Sequence, residues 1–113
     1  GPRGTAARLV EIPVGDPRNS ESGSRTISLP LELVGDQESF AFQVEENYRS
    51  ESIVPGDLVI INRNSKTISG ELVLTREQEG LKLTRMSQGS SKVDLHQEVL
   101  GKVVGIIRKF SES

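Results

Sequence analysis

Cysteine and tryptophan are absent from this 113-residue chain, and histidine occurs once, as His96. Without a thiol there is no thiolate chemistry, disulfide or zinc finger, and a lone imidazole excludes a multi-histidine metal site. No cofactor is expected. Aromatic residues make up 4% of the chain, too few for a base-stacking platform, so Phe40 and Phe42 read as core. A basic excess is missing as well: 14 Lys and Arg stand against 16 Asp and Glu, a formal net charge of -2. A domain that grips phosphate backbones by itself carries clustered positive charge, so direct nucleic-acid binding is disfavoured. The longest apolar runs, residues 58–61 and 103–107, fall far short of the about 20 residues that cross a bilayer. No secretory leader is visible, and no membrane association is expected.

What is present suits one globular domain. The chain is 34% apolar and 27% charged, and a domain of this length hides roughly two-thirds of the surface of its unfolded chain. Residues 1–7 read as a linker or cloning remnant, and residues 8–113 as the domain. Residues 9–14 predict a strand, and residues 15–25, nearly all Gly, Pro, Ser, Asn and charge, a loop. Residues 27–33 are apolar at every second position, but Pro30 demotes them to an edge strand or irregular segment. After a turn at Val34-Gly35-Asp36, Phe40, Phe42 and Val44 alternate with Ala41, Gln43 and Glu45, the period of a half-buried strand. Residues 57–63 and 72–75 predict buried strands, and residues 76–80 a hairpin loop leading into a strand over 81–86. Residues 87–91 form a polar turn. Residues 99–110 predict a last strand covered on both sides, with Val99, Val103 and Ile107 on one and Leu100, Val104, Ile106 and Phe110 on the other. No helical period is sustained, so the fold class is mostly β with at most a turn or two of helix.

The most specific stretch runs from Val44 to Asp57. Val54-Pro55-Gly56-Asp57 predicts a turn, because Pro55 presets its own φ and Gly56 tolerates the positive φ of a type II third position. In its surroundings the stretch resembles the nucleophile region of the LexA-like family, self-cleaving repressors and mutagenesis proteins that share a fold with signal peptidases. That pattern is Val-x-Gly-Asp-Ser-Met-x-Pro-x-Ile-x-x-Gly-Asp followed by an apolar strand, and Val44, Ile53, Gly56 and Asp57 match it without a gap. Leu81-Lys82-Leu83-Thr84-Arg85-Met86 resembles the stretch that holds the family's lysine base, Ile68 to Val73 a strand entry, and Val99 to Gly105 the closing strand. The resemblance covers residues 9–110 and implies twisted, largely antiparallel sheets with little helix.

The family's chemistry does not carry over. Tyr48 stands at the position of the nucleophilic serine and Thr84 at that of the lysine. A Ser-Lys pair works because a neutral, desolvated lysine takes the serine proton, and a phenol with a threonine supplies neither role. The Ala-Gly bond cleaved in the family has no counterpart between Gly15 and Arg25, where Ser22-Gly23 is the nearest pair. The likeness is therefore to a catalytically degenerate member, similar to the C-terminal domains of non-cleavable phage lysogeny repressors of the CI type.

The remaining features have bland readings beside the sharp ones. Ser50 or Ser52 with Lys82 offers a displaced catalytic pair, but turn hydroxyls and a solvated strand lysine are the simpler reading. His96 beside Asp94 and Glu98 suggests a proton shuttle, and a solvated histidine is again the plainer reading. Lys102, Arg108 and Lys109 near acidic neighbours read as a solvated rim rather than a DNA patch. What the resemblance implies is the assembly half of a cytoplasmic bacterial-host repressor. Its partners would be a second copy or a higher oligomer, DNA only through a separate helix-turn-helix half, and an antirepressor protein. Val104, Ile106, Arg108 and Phe110 on the closing strand are the expected self-association residues. The rival expectation is an active Ser-Lys self-cleaving peptidase with displaced residues.

Overall fold

The computed structural model describes residues 8–15, 25–35, 38–64, 66–86 and 98–109. They form two antiparallel sheets. A two-stranded ribbon pairs β1 (Leu9–Pro13) with β2 (Thr26–Pro30). A five-stranded sheet has the order β3-β4-β7-β5-β6, from β3 (Ser39–Gln43), β4 (Leu58–Asn62), β5 (Leu72–Glu77), β6 (Gly80–Arg85) and β7 (Glu98–Ile107). This is the mostly β, antiparallel architecture expected of a LexA-like fold.

β4 explains the layering. Its five residues Leu-Val-Ile-Ile-Asn are apolar on both faces, and a strand of that kind must be covered on both. On one side Val59 and Ile61 join Phe40, Val44, Ile53, Leu74, Leu83 and Leu100 in one core. On the other, Ile60 joins Ala41 and the ribbon residues Ile12, Val14 and Leu29 in a second core. Each large aliphatic side chain so buried stabilises the fold by about 1.5–3 kcal/mol. The ribbon is thus a lid over one face of the sheet, and the 44–57 segment packs on the other.

Four expectations are corrected in detail. Residues 31–34 do not continue the strand but wind into a single helical turn, α1 (Leu31–Val34). Pro30 ends β2, and Gly35 at φ 94 closes the turn by donating its N–H to the Leu31 carbonyl at 2.8 Å. β3 is not half-buried in simple alternation, because the ribbon covers Ala41 while the opposite core takes Phe40. β5 runs on through Arg76 and Glu77, which leaves only Gln78 and Glu79 as the hairpin loop.

The two faces expected of the last strand are also re-sorted. Val103 joins Leu100 in the first core, whereas Val104 and Ile107 pack on the second. Register shifts in the pairing of β7 with β5 and with β4 are the cause. A bulge inserts one residue and breaks the period of two. The polar loop over 16–24, Asp36, the turn over 87–91, His96 and Phe110 lie outside the described residues.

Candidate functional site

Residues 44–57 leave β3 and return to β4 as a closed excursion. At its mouth the Val44 N–H donates to the Asp57 carbonyl and the Gly56 N–H to the Val44 carbonyl, both at 2.9 Å. Midway, Tyr48 and Ile53 exchange both backbone bonds, at 2.8 and 3.2 Å. A 3-10 turn, Arg49–Glu51, makes the tip, and Ser52 after it sits at φ 59.

Every residue that matches the family pattern has a structural task here. Val44 and Ile53 are buried anchors in the first core. Gly56 adopts φ 98, and the Asp57 N–H closes the turn on the Val54 carbonyl at 3.1 Å, which agrees with the expected turn. Asp57 is 1% exposed. A buried carboxylate needs partners, and it receives Arg108 through Nε at 2.8 Å and Nη2 at 2.7 Å, plus the Val54 N–H at 3.0 Å. The same Nη2 donates to the Ser52 carbonyl at 2.7 Å. The Arg108 hydrogen bonds hold the Asp57 carboxyl below the usual carboxylate range against the upward push of burial, and the Val54 N–H assists. One guanidinium therefore ties the segment after β7 to Ser52 and Asp57, the two ends of the stretch that carries the Val54–Asp57 turn.

Tyr48 is half-buried and packs on the first core. Its hydroxyl accepts a hydrogen bond from the Leu83 N–H at 3.3 Å. The phenol thus reaches the strand that carries Thr84, one residue short of it, and its described partner is a backbone amide rather than the threonine hydroxyl. Thr84 is half-buried and lies opposite Val73 in the β5–β6 hairpin. Lys82 lies opposite Thr75, whose hydroxyl donates to the Lys82 carbonyl at 3.2 Å. Ser50 and Ser52 are exposed on the tip. The structure brings a tyrosine hydroxyl to β6, not a serine.

A second brace joins the tip to the same strand. Arg85 donates to Glu51 through Nε at 3.0 Å and through Nη2, and its Nη1 donates to the Gly70 carbonyl at 2.6 Å. These hydrogen bonds draw the Glu51 carboxyl below its usual range. Sequence reasoning missed both braces, since the partners are 51 and 34 positions apart. No local spacing signals such pairs.

Beside Tyr48 opens a cleft of about 330 Å³ between the end of β3 and the β5–β6 turn. Phe42, Tyr48 and Leu81 line it with Glu45, Glu46 and Glu79.

Of the expected self-association residues, Val104 is half-buried against the second core and Ile106 is 43% exposed. Arg108 is engaged by Asp57 and Ser52. β5 pairs with β7 only as far as Lys102, so the edge of β7 beyond it is unpaired among the described residues. Lys102 itself contacts Glu71 at 3.3 Å.

Fold and excursion together define a mostly β, antiparallel domain consistent with a LexA-like fold. No family model matches the chain. It is similar to LexA repressors: 27% identical over 116 residues to that of Desulforamulus reducens, covering 89% of this chain and 54% of the relative. Against the LexA repressor of Clostridium tetani it is 27% identical over 124 residues, 90% and 62% of the two chains. Against that of Caldicellulosiruptor saccharolyticus it is 26% identical over 98 residues, 74% and 48%. The chain spans about half the length of the curated relatives it matches. These similarities support a LexA-like repressor-family domain. Among the described residues no helix is long and apolar enough to cross a membrane.

Proposed function

We propose that this domain is the self-associating half of a LexA-like transcriptional repressor of the phage lysogeny kind, and that it does not cleave itself. One observation carries the reading. The residue at the nucleophile's place in the resembled pattern is Tyr48, and its hydroxyl is held by the Leu83 amide. Neither this phenol nor Thr84 supplies the serine nucleophile or the lysine base that the reaction of the resembled pattern needs. The matching residues Val44, Ile53, Gly56 and Asp57 are accounted for by packing, backbone conformation and a buried ion pair. Such positions persist for the fold whether or not the reaction does.

Self-association supplies a function that needs no reaction. A helix-turn-helix half makes few base contacts, and joining two through a separate domain lets the second half-site bind at high effective concentration. An isologous dimer requires a self-complementary patch. The exposed Ile106, the adjoining Val104 and the unpaired outer part of β7 supply an apolar strand edge for it; Arg108 and Phe110 follow on the same segment. Release from the operator then falls to an antirepressor protein. Incubating the intact parent protein at alkaline pH tests the loss of cleavage, because a lysine base acts faster as it deprotonates. The protein is expected to stay whole. Two fragments would establish the displaced Ser-Lys peptidase instead.

A further inference from the structure

Two routes of hydrogen bonds run from the tip of the 44–57 excursion to opposite ends of one stretch of β7. Ser52 begins the shorter route: its carbonyl accepts from Arg108 Nη2 at 2.7 Å, and the same guanidinium grips Asp57. Glu51 begins the longer one. It accepts from Arg85 Nε at 3.0 Å, and Arg85 Nη1 donates to the Gly70 carbonyl at 2.6 Å. The next residue, Glu71, accepts from the Ile68 N–H at 2.9 Å and from Lys102 Nζ at 3.3 Å. Every hydrogen bond on both routes has an ionised partner, and such bonds are roughly twice as strong as neutral ones.

Lys102 and Arg108 bracket residues 103–107. There β4 pairs with β7 on one side, and the other edge is unpaired among the described residues. A strand held by one ladder depends on its end anchors for the line its free edge takes, and a surface held ready in its bound form binds tighter without any added contact. The tip carries a second sign of the same constraint. Among the described residues Ser52 is the one non-glycine at positive φ, 59. An L residue persists there only where its surroundings hold it. Ser52 is held at its carbonyl by Arg108 and at its N–H by the Arg49 carbonyl, 3.1 Å away.

We propose that the excursion tip is a positioning element for self-association: Glu51 and Ser52 set the free edge of β7 through its two ends, so that displacing the tip weakens assembly although the tip is no part of that edge. Resting on the reading of β7 as the self-association edge, this adds a second, exposed place from which assembly is controlled. The coupling is reciprocal by linkage, and assembly steadies the tip in turn.

The test is sedimentation of the full chain across concentration for the parent, Glu51→Ala and Arg85→Lys, neither of which alters β7. Circular dichroism at monomeric concentration checks that each is folded. Glu51→Ala is expected to raise the dissociation constant about fivefold or more. Arg85→Lys keeps the charge but loses the planar fork that spans Glu51 and Gly70, and should weaken association in the same direction. Arg63→Ala breaks the Glu38 pair elsewhere and should leave association at the parent's level. Combined with Ile106→Ala, Glu51→Ala should cost less than the product of the two single effects, because both act on one edge; a tip that merely supports the fold gives effects that multiply. Parent-like association of both tip variants, equal weakening by Arg63→Ala, or multiplying effects overturns the proposal while self-association stands. A parent that stays monomeric overturns both.

Discussion

Substituting alanine at two glycines of β7 should have unequal effects, because their surroundings differ in what can yield. A Cβ at Gly101 would lie 2.6 Å from the Asn62 carbonyl oxygen and 2.7 Å from Ile61 Cγ2. Both residues belong to β4, whose ladder to β7 pairs Ile61 with Val103 and Asn62 with Lys102. Relief therefore requires the two central strands to part. Overpacking of this kind costs about 1–3 kcal/mol, and a clash with paired backbone belongs at the upper end, about 3 kcal/mol. A Cβ at Gly105 would meet Leu33 Cδ1 at 2.8 Å. That methyl is the end of a half-buried side chain on α1, which can rotate away. Alanine also restricts the unfolded chain, a gain of about 0.4–1 kcal/mol that offsets part of the contact. For a domain of this size 1 kcal/mol moves the thermal midpoint by about 4 °C. Gly101→Ala is thus expected to melt about 8–10 °C below the parent and Gly105→Ala within about 4 °C of it, read by circular dichroism. Equal midpoints, or a Gly101→Ala protein as stable as the parent, would refute the assigned register of β4 against β7.

Arg108→Ala leaves the buried Asp57 with the Val54 N–H as its remaining described partner, so it should lower the midpoint at neutral pH. Because Arg108 depresses the Asp57 pKa, the stability it confers is complete above the ordinary aspartate value of about 3.9 and fades as pH falls through the lower folded value; parent and variant melts should converge there, and a gap that stays constant into acid would count against the pairing. Tyr48→Phe removes the acceptor of the Leu83 N–H and should cost about 1 kcal/mol in urea unfolding; a loss of several would mean that the hydroxyl does more than cap one amide. Ile106→Glu places a charge on the exposed part of β7 and should weaken self-association at least tenfold with an unchanged melt at low concentration. Association as strong as the parent's would move the interface elsewhere.

Much of the fold was legible because it rests on period and punctuation. β4 reads as buried on both faces from Leu58 to Ile61 alone, and the Pro55-Gly56 turn from the backbone preferences of two residues. Other parts depend on partners the local sequence does not name. α1 forms where Pro30 ends a strand and Gly35 supplies positive φ, although the alternation of Leu29, Leu31 and Leu33 suggests extended chain. The faces of β7 are set by bulges, and a bulge arises from pairing with β4 and β5 rather than from the strand's own pattern. At the site, the positions of Tyr48 and Thr84 follow from resemblance, but the Leu83 amide as the phenol's partner, the Asp57–Arg108 pair and the acidic cleft are products of long-range folding.

Sedimentation of the 12.3 kDa chain over a wide concentration range bears most directly on the proposed self-association. The average mass should climb reversibly from the monomer toward a dimer and beyond as concentration rises. A particle that remains at 12.3 kDa throughout would contradict the account.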